Sequence, residues 1–192
     1  MAALYICTEA AFLIFQMIIK DKEFELYLKS ASITRKVKDM AAKITEDYKD
    51  KDPLFIPTLN GAFIFAAELV REIDIDAQTS FIKMASYDEM TSTGNIKELI
   101  GLGETIFGRH VILIEDIIDT GNTILQLLEK LNELGPKSLE VASLLIKEDK
   151  GALKIKPKYV GFEIPDKFIV GYGMDYDGYG RNTKDIFVIK DQ

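Results

Sequence analysis

The sequence has a single cysteine, Cys7, and a single histidine, His110. One cysteine cannot form an internal disulfide, and a chain without a disulfide framework fits a reducing compartment. The same two counts exclude a metal centre built from several histidine and cysteine ligands. We therefore expect a cytoplasmic protein.

Positive charge is also scarce, because 24 lysines and arginines face 31 aspartates and glutamates and leave a net charge of −7. Proteins that bind nucleic acid through general phosphate neutralisation carry a basic surface. The acidic balance therefore predicts no nucleic-acid partner. It leaves open a small phosphorylated ligand that is held by local backbone donors.

Long hydrophobic runs are missing except at the N-terminus, where Glu9 interrupts the apolar stretch formed by residues 1–19. The uncharged part, residues 10–19, is half the roughly 20 residues that a membrane helix needs. No lysine or arginine precedes it, so it lacks the charged start of a signal peptide. We expect no membrane association. Met17 opens "MIIKDKEF" like a natural start, so residues 1–16 are predicted to be an extension outside the core, and residues 17–192 a single domain.

Hydrophobic spacing predicts alternating strands and helices through the middle of the chain. The strands are apolar on both faces, which is typical of a parallel sheet covered by helices. Residues 87–98 have no usable period and are predicted to form a long loop. The predicted helices cover residues 32–48, 60–73 (after a turn) and 124–134, and the predicted strands cover residues 53–58, 78–86, 110–115 and 138–146.

The stretch "VILIEDIIDTGNTI" (residues 111–124) places three carboxylates at the end of a predicted buried strand. Ligands of open α/β sheets bind beyond the carboxyl ends of the strands, so Glu115 and Asp116 need not be buried. Two adjacent carboxylates can accept from the two hydroxyls of a ribose, or they can hold Mg²⁺. The following "DTGNT" (residues 119–123) can direct backbone N–H groups and threonine hydroxyls at a phosphate.

Together these features predict a ribose 5-phosphate site, whereas the plainer interpretation is a capped helix beside solvated acids. The dinucleotide-binding and P-loop alternatives fail on spacing, because neither G-x-G-x-x-G nor Gly-Lys-Ser/Thr occurs in the sequence.

The same stretch resembles the phosphoribosyl-pyrophosphate motif of the type I phosphoribosyltransferases. Two further stretches resemble the hypoxanthine(-guanine) branch of that family, namely "ASYDEMTSTGNIKE" (its mobile loop) and "KPKYVGFEIPDKFIVGYGMDYDGYGRN" (its purine-binding tail). The resemblance runs from about Met17 to the C-terminus. It implies an α/β type I phosphoribosyltransferase fold, a mainly parallel sheet flanked by helices, with a small hood from the N- and C-terminal segments.

The implied activity is purine salvage, in which 5-phosphoribose moves from phosphoribosyl pyrophosphate to N9 of hypoxanthine, and of guanine as well. The products are IMP or GMP and pyrophosphate. The resemblance further implies Mg²⁺ as cofactor and a homodimer or homotetramer.

Each role in the family is assigned by the resemblance to a residue of this chain. Asp119 is the expected general base at purine N7, and Lys147 the expected donor to purine O6. Glu115 and Asp116 would hold the ribose hydroxyls and the magnesium shell. Asp175 would ligate a magnesium carried by the pyrophosphate and is also placed among the purine-binding residues. The remaining implied contacts are Thr120, Gly121, Asn122 and Thr123 with the 5-phosphate, Asn60, Gly61 and Arg181 with pyrophosphate, Ser86 and Tyr87 in a closing loop, and Phe168 and Ile169 with the purine.

One position departs from the family pattern. Many relatives carry lysine or arginine before the glycine of the pyrophosphate loop, whereas this chain has Leu59-Asn60-Gly61. Asparagine supplies no charge, so the pyrophosphate would be met there by backbone N–H groups. The resemblance also predicts a cis or strained peptide between Leu59 and Asn60.

Three other functions compete with this interpretation. A non-catalytic regulator of the same fold could sense the sugar phosphate, but one that binds nucleic acid needs a basic face and could dispense with Asp119 and Lys147. A transferase for adenine, uracil or orotate fits the purine-binding tail poorly. A purely structural domain leaves the carboxylates unexplained.

Overall fold

The computed structural model describes residues 4–6, 16–85, 97–100, 102–147 and 155–190. Ser86 and Tyr87, which were expected to close over the site, lie outside the described residues, as does most of the predicted loop.

The described elements alternate between strands and helices in the central part of the chain, as the hydrophobic spacing predicts. The helices are α1 (Ser30–Tyr48), α2 (Phe63–Arg71) and α3 (Asn122–Glu133). The strands are β1 (Leu4–Ile6), β2 (Gln16–Ile19), β3 (Lys22–Leu28), β4 (Leu54–Leu59), β5 (Gln78–Thr79), β6 (Ile82–Ala85), β7 (Lys97–Ile100), β8 (His110–Ile118), β9 (Ser138–Lys147), β10 (Tyr159–Ile164), β11 (Ile169–Val170) and β12 (Ile186–Ile189).

The central sheet has the order β10-β9-β8-β4-β6-β7, with β5 paired to β4. Its strands are parallel except for β7, which pairs antiparallel with β6. Parallel strands point their carboxyl ends to the same edge, so the ends of β8, β9 and β10 bring their following loops together.

Both faces of this sheet are covered. Alternate residues of β8 point to opposite faces, so that Ile112 and Ile114 pack with α1 and α2, while Val111 and Leu113 pack with α3. Burial on both sides explains the continuous apolar runs in the sequence and confirms the predicted mainly parallel sheet.

A smaller antiparallel sheet, here called the hood, has the order β1-β2-β3-β12-β11. It joins the N-terminal strands to the C-terminal ones, as expected. Its own core is formed by Met17, Ile19, Phe24, Val170 and Phe187, which are all buried.

The N-terminal segment contributes to the hood through its backbone, because Leu4, Tyr5 and Ile6 pair with Ile18, Met17 and Gln16. This segment forms an outer strand of the sheet. That residues 1–16 lie outside the core stays a prediction.

Most element boundaries differ from the sequence prediction by a few residues, and the predicted strand 78–86 is two strands, β5 and β6. Strand β8 extends through Ile118 rather than ending at Glu115, because Ile117 and Ile118 continue the pairing with β9. Residues 97 and 98, predicted as loop, belong to β7, where the antiparallel partner β6 supplies a ladder that the local sequence pattern does not reveal.

Candidate functional site

The two adjacent carboxylates lie within β8, three and two residues before its end, rather than beyond it. Glu115 and Asp116 are half-buried as a result. The Thr58 hydroxyl on neighbouring β4 donates to Glu115 Oε2 at 2.5 Å. The expectation that these carboxylates escape burial at a strand end was wrong, because the β8–β9 ladder continues past them.

Burial has a large electrostatic effect on this pair. Desolvation, with repulsion from Asp116 adding to it, raises the pKa of Glu115 to about 8, although the Thr58 hydrogen bond opposes the shift. Desolvation also raises the pKa of Asp116 to about 6, against the effect of backbone N–H groups and Arg181. The ionised pair is therefore poorly compensated by the protein alone, and a cation or sugar hydroxyls would stabilise it.

Asp119 and Lys147 meet directly. Lys147 is the last residue of β9, its side chain is nearly buried, and its Nζ lies 2.9 Å from Asp119 Oδ2. The same Nζ lies 2.9 Å from Asp166 Oδ1 in the loop after β10. The predicted base and the predicted oxygen donor are therefore in direct contact with each other.

The predicted phosphate loop forms the N-terminus of α3. Gly121 has a left-handed backbone with φ of 78° and precedes the helix, and the N–H of the first helical residue, Asn122, donates to the Thr120 hydroxyl at 3.4 Å. Thr120, Asn122 and Thr123 are exposed. The first N–H groups of a helix have no partner within it, so this end is suited to an anion.

The pyrophosphate loop packs against the carboxylates. The peptide between Leu59 and Asn60 is cis, as the resemblance predicts. Gly61 lies so close to Asp116 that a Cβ at this position would overlap the carboxylate. Gly173 in turn lies against the Gly61 carbonyl, where a side chain would also overlap. The loop after β4, strand β8 and the C-terminal tail are distant in sequence, and they thus contact one another around Gly61.

The C-terminal tail contributes two charged side chains, Asp175 and Arg181, to the place where these segments meet. Arg181 Nη2 lies 2.5 Å from Asp175 Oδ1, and Arg181 Nη1 donates to the Gly173 carbonyl at 2.7 Å. The backbone N–H of Gly178 donates to Asp175 Oδ2 at 2.6 Å. Both charged side chains lie near enough to affect the pKa of Asp116.

The tail also supplies an aromatic surface. Phe168 is 45% exposed and packs edge-on against Tyr176, with ring centroids 5.8 Å apart. Phe24 of the hood supports both rings. Ile169 is buried. Phe168 is therefore held in place while part of its ring stays open to a planar ligand.

The carboxylates fit a magnesium ion that a phosphorylated substrate brings with it. In the residues that the structure describes, no group of three or more histidine, cysteine, aspartate or glutamate side chains could hold a metal ion. Magnesium commonly binds through one or two carboxylates together with substrate phosphates. Glu115 and Asp116 match that pattern, since a cation would relieve the repulsion between them.

Sequence reasoning missed two partners of these residues. Thr58 bonds Glu115 across two adjacent strands, and Asp166 bonds Lys147. Both contacts depend on the register between neighbouring strands, which no local motif encodes.

Comparison with known proteins agrees with this geometry. The model of the family described as "Phosphoribosyl transferase domain" matches residues 25–177. The hypoxanthine-guanine phosphoribosyltransferase of Aquifex aeolicus (strain VF5) is 38% identical over 175 residues, which cover 90% of this chain and 98% of the relative.

Solved structures show the same likeness. A hypoxanthine-guanine phosphoribosyltransferase from Bacillus anthracis superimposes with a TM-score of 0.81 at 37% identity, covering 90% of this chain and 100% of that chain. The hypoxanthine phosphoribosyltransferase from Trypanosoma cruzi, in complex with the product IMP, gives a TM-score of 0.82 at 31% identity, covering 90% of this chain and 97% of that chain. Within the described ranges, no helix has the length and apolar character needed to cross a membrane.

Proposed function

The chain belongs to the phosphoribosyltransferase family, within its hypoxanthine(-guanine) branch, and on this basis we propose how its residues move 5-phosphoribose onto a purine. It is a purine salvage enzyme whose substrates are phosphoribosyl pyrophosphate and a 6-oxopurine. Hypoxanthine is the expected base, and guanine is expected as well.

The observation that supports the assignment of the base is the contact between Asp119 and Lys147 at 2.9 Å. Asp119 accepts the proton from purine N7, while the Lys147 ammonium donates to purine O6. A general base must lie within hydrogen-bond reach of its proton, and the two groups are spaced as neighbouring atoms on one purine edge require. Phe168 stacks on the ring, and the backbone of Ile169 pairs with it.

The sugar phosphate is held by the segment that runs from β8 into α3. The 5-phosphate lies at the helix end formed by Thr120, Gly121, Asn122 and Thr123, where backbone donors meet it. Glu115 and Asp116 accept from the ribose hydroxyls. The ribose carbon C1′ is thereby presented to the purine held beside Asp119.

The reaction exchanges one bond at C1′ for another. The lone pair of N9 forms the C1′–N9 bond, the C1′–oxygen bond to pyrophosphate breaks, and pyrophosphate leaves with that electron pair. The N7 proton passes to Asp119. The planar guanidinium of Arg181 donates hydrogen bonds to the leaving pyrophosphate. The backbone N–H groups of Asn60 and Gly61 bind pyrophosphate in place of the basic residue seen in relatives.

Magnesium, when bound with the substrate, neutralises charge on the pyrophosphate. Asp175, Glu115 and Asp116 are the residues assigned to hold it, directly or through water. Ser86 and Tyr87 are assigned to the segment that closes over the site and excludes water. We further place the enzyme in the cytoplasm as a homodimer or homotetramer.

The competing function is a non-catalytic regulator that senses phosphoribosyl pyrophosphate. No finding supports it, and the paired Asp119 and Lys147 favour catalysis. Steady-state rates with phosphoribosyl pyrophosphate and Mg²⁺ on hypoxanthine, guanine, xanthine and adenine test the assignment. Turnover of hypoxanthine with release of pyrophosphate is expected, and no turnover of any of these bases would refute it.

A further inference from the structure

The Lys147 ammonium is held by two carboxylates from different loops. Asp119 follows β8 and Asp166 follows β10, and each has an oxygen 2.9 Å from Nζ. The lysine side chain is 10% exposed, whereas the carboxylates are 46% and 44% exposed. The ammonium is therefore the desolvated partner, and it depends on the two acids for compensation.

Strand register places Asp166 at this point. Strand β10 runs parallel to β9 with Ile164 opposite Lys147, so Asp166 follows two residues beyond the lysine's own level. A tight turn then fixes it, because the Lys167 N–H donates to the Pro165 carbonyl at 2.8 Å. Proline has a fixed φ, which restricts this turn further. Asp166 is held by the backbone on both sides.

The proposed reaction creates a difficulty for Lys147. Asp119 must face purine N7 to take its proton, so it cannot keep its full contact with the ammonium. A nearly buried ammonium that is left without a carboxylate partner would turn towards solvent or lose its proton. A second carboxylate that does not take part in proton transfer removes this difficulty.

We propose that Asp166 is a positioning residue that holds Lys147 towards purine O6 while Asp119 turns to the base, an inference that rests on the proposed function. Asp166 contacts no reacting atom in this scheme. It acts through Lys147 alone.

The electrostatics of Lys147 agree with the geometry. Among the described residues, Asp119 and Asp166 are the charged groups that contact it. Burial lowers its pKa, but hydrogen bonds to Asp166 and Asp119 outweigh burial and raise the pKa above its ordinary value. Removal of Asp166 should therefore lower the pH at which the ammonium loses its proton.

The experiment compares Asp166→Asn with the matched control Glu163→Gln, which removes the same charge from an exposed position on β10. Hypoxanthine kcat/KM is measured across the alkaline pH range, together with the KM for phosphoribosyl pyrophosphate. We expect Asp166→Asn to raise the hypoxanthine KM by about 10-fold, as expected when a charged hydrogen bond is lost. Its alkaline limb should move to lower pH, while the KM for the sugar phosphate stays unchanged.

The control should match the unmutated enzyme in both measurements, and Asp166→Glu should recover part of the loss. Identical behaviour of Asp166→Asn and Glu163→Gln would overturn this inference and leave the proposed function intact. Absence of hypoxanthine turnover in the unmutated enzyme would instead overturn the function. If Asp166→Asn does not fold, Asp166→Ser decides the question, because it also removes the charge, and an unmoved alkaline limb with an unchanged hypoxanthine KM in that variant contradicts the inference.

Discussion

Base selection can be tested through Lys147, whose ammonium is a donor without acceptor capacity. Hypoxanthine presents a carbonyl oxygen at position 6, whereas adenine presents an amino group. With adenine, a donor faces a donor, and the nearly buried ammonium gains no partner from the substrate. Sites built to hydrogen-bond a substrate group discriminate against the wrong partner by roughly 10⁴–10⁵-fold.

The exposure of the two carboxylates reduces this figure. Asp119 and Asp166 are 46% and 44% exposed, so water reaches the site and part of the mismatch is solvated. We therefore expect adenine kcat/KM to be at least about 10³-fold below that of hypoxanthine. Lys147→Ala should lower hypoxanthine use sharply and barely change the poor adenine rate.

Stability provides the control for this variant. Asp119 and Asp166, the two acids that Lys147 contacts, are each more than a third exposed. Solvent screening therefore limits the contribution of these ion pairs to the free energy of unfolding to about 1 kcal/mol. Lys147→Ala should therefore unfold at nearly the same denaturant concentration as the unmutated protein while losing most of its hypoxanthine activity. Comparable kcat/KM for adenine and hypoxanthine in the unmutated enzyme would contradict the role of Lys147.

Four further outcomes are expected. Asp119→Asn should lower kcat by roughly 10²–10⁴-fold with little loss of sugar-phosphate binding, because the amide cannot accept the proton; equal losses in both would indicate a structural role. Gly61→Ala should lower kcat/KM by about 10²-fold, since its Cβ displaces the Asp116 carboxylate, and steady-state kinetics with normal rates would contradict that contact. Glu115 has a raised pKa, so the native state retains its proton above pH 4.5 and loses stability as pH rises towards 8; without ligand or magnesium, Tm should fall over that interval, and less so in Glu115→Gln. A protein lacking residues 1–16 should keep its kcat, and a large loss of activity would place this segment in the core or an oligomer interface.

The central motif could be predicted because its information is local. The apolar run of β8, the glycine before α3 and the intervening polar residues are contiguous in sequence. Their arrangement at the edge of a parallel sheet follows from general rules of strand direction. The contact between Asp119 and Lys147 could be expected because the ends of adjacent parallel strands converge.

The surroundings of those residues were not predictable in the same way. The burial of Glu115 and Asp116 depends on how far the β8–β9 ladder continues, which is a property of two strands together. The partner of Lys147 in the β10 loop depends on Ile164 lying opposite that lysine. A shift of one residue in the β4–β8 register would send Thr58 elsewhere, and a shift in the β9–β10 register would do the same to Asp166. The sequence of one strand alone does not fix such a shift.

Because β8, β9 and β10 are parallel, separate stretches of chain are assigned to the sugar phosphate and to the purine. Everything assigned to the ribose and its 5-phosphate lies on one continuous piece, from Glu115 to Thr123. The groups assigned to the 6-position and the face of the purine come from the ends of the next two strands, at Lys147, Asp166 and Phe168. An altered preference for the nucleobase can thus arise by exchange of a few side chains at the ends of β9 and β10, while the residues assigned to the sugar phosphate stay unchanged.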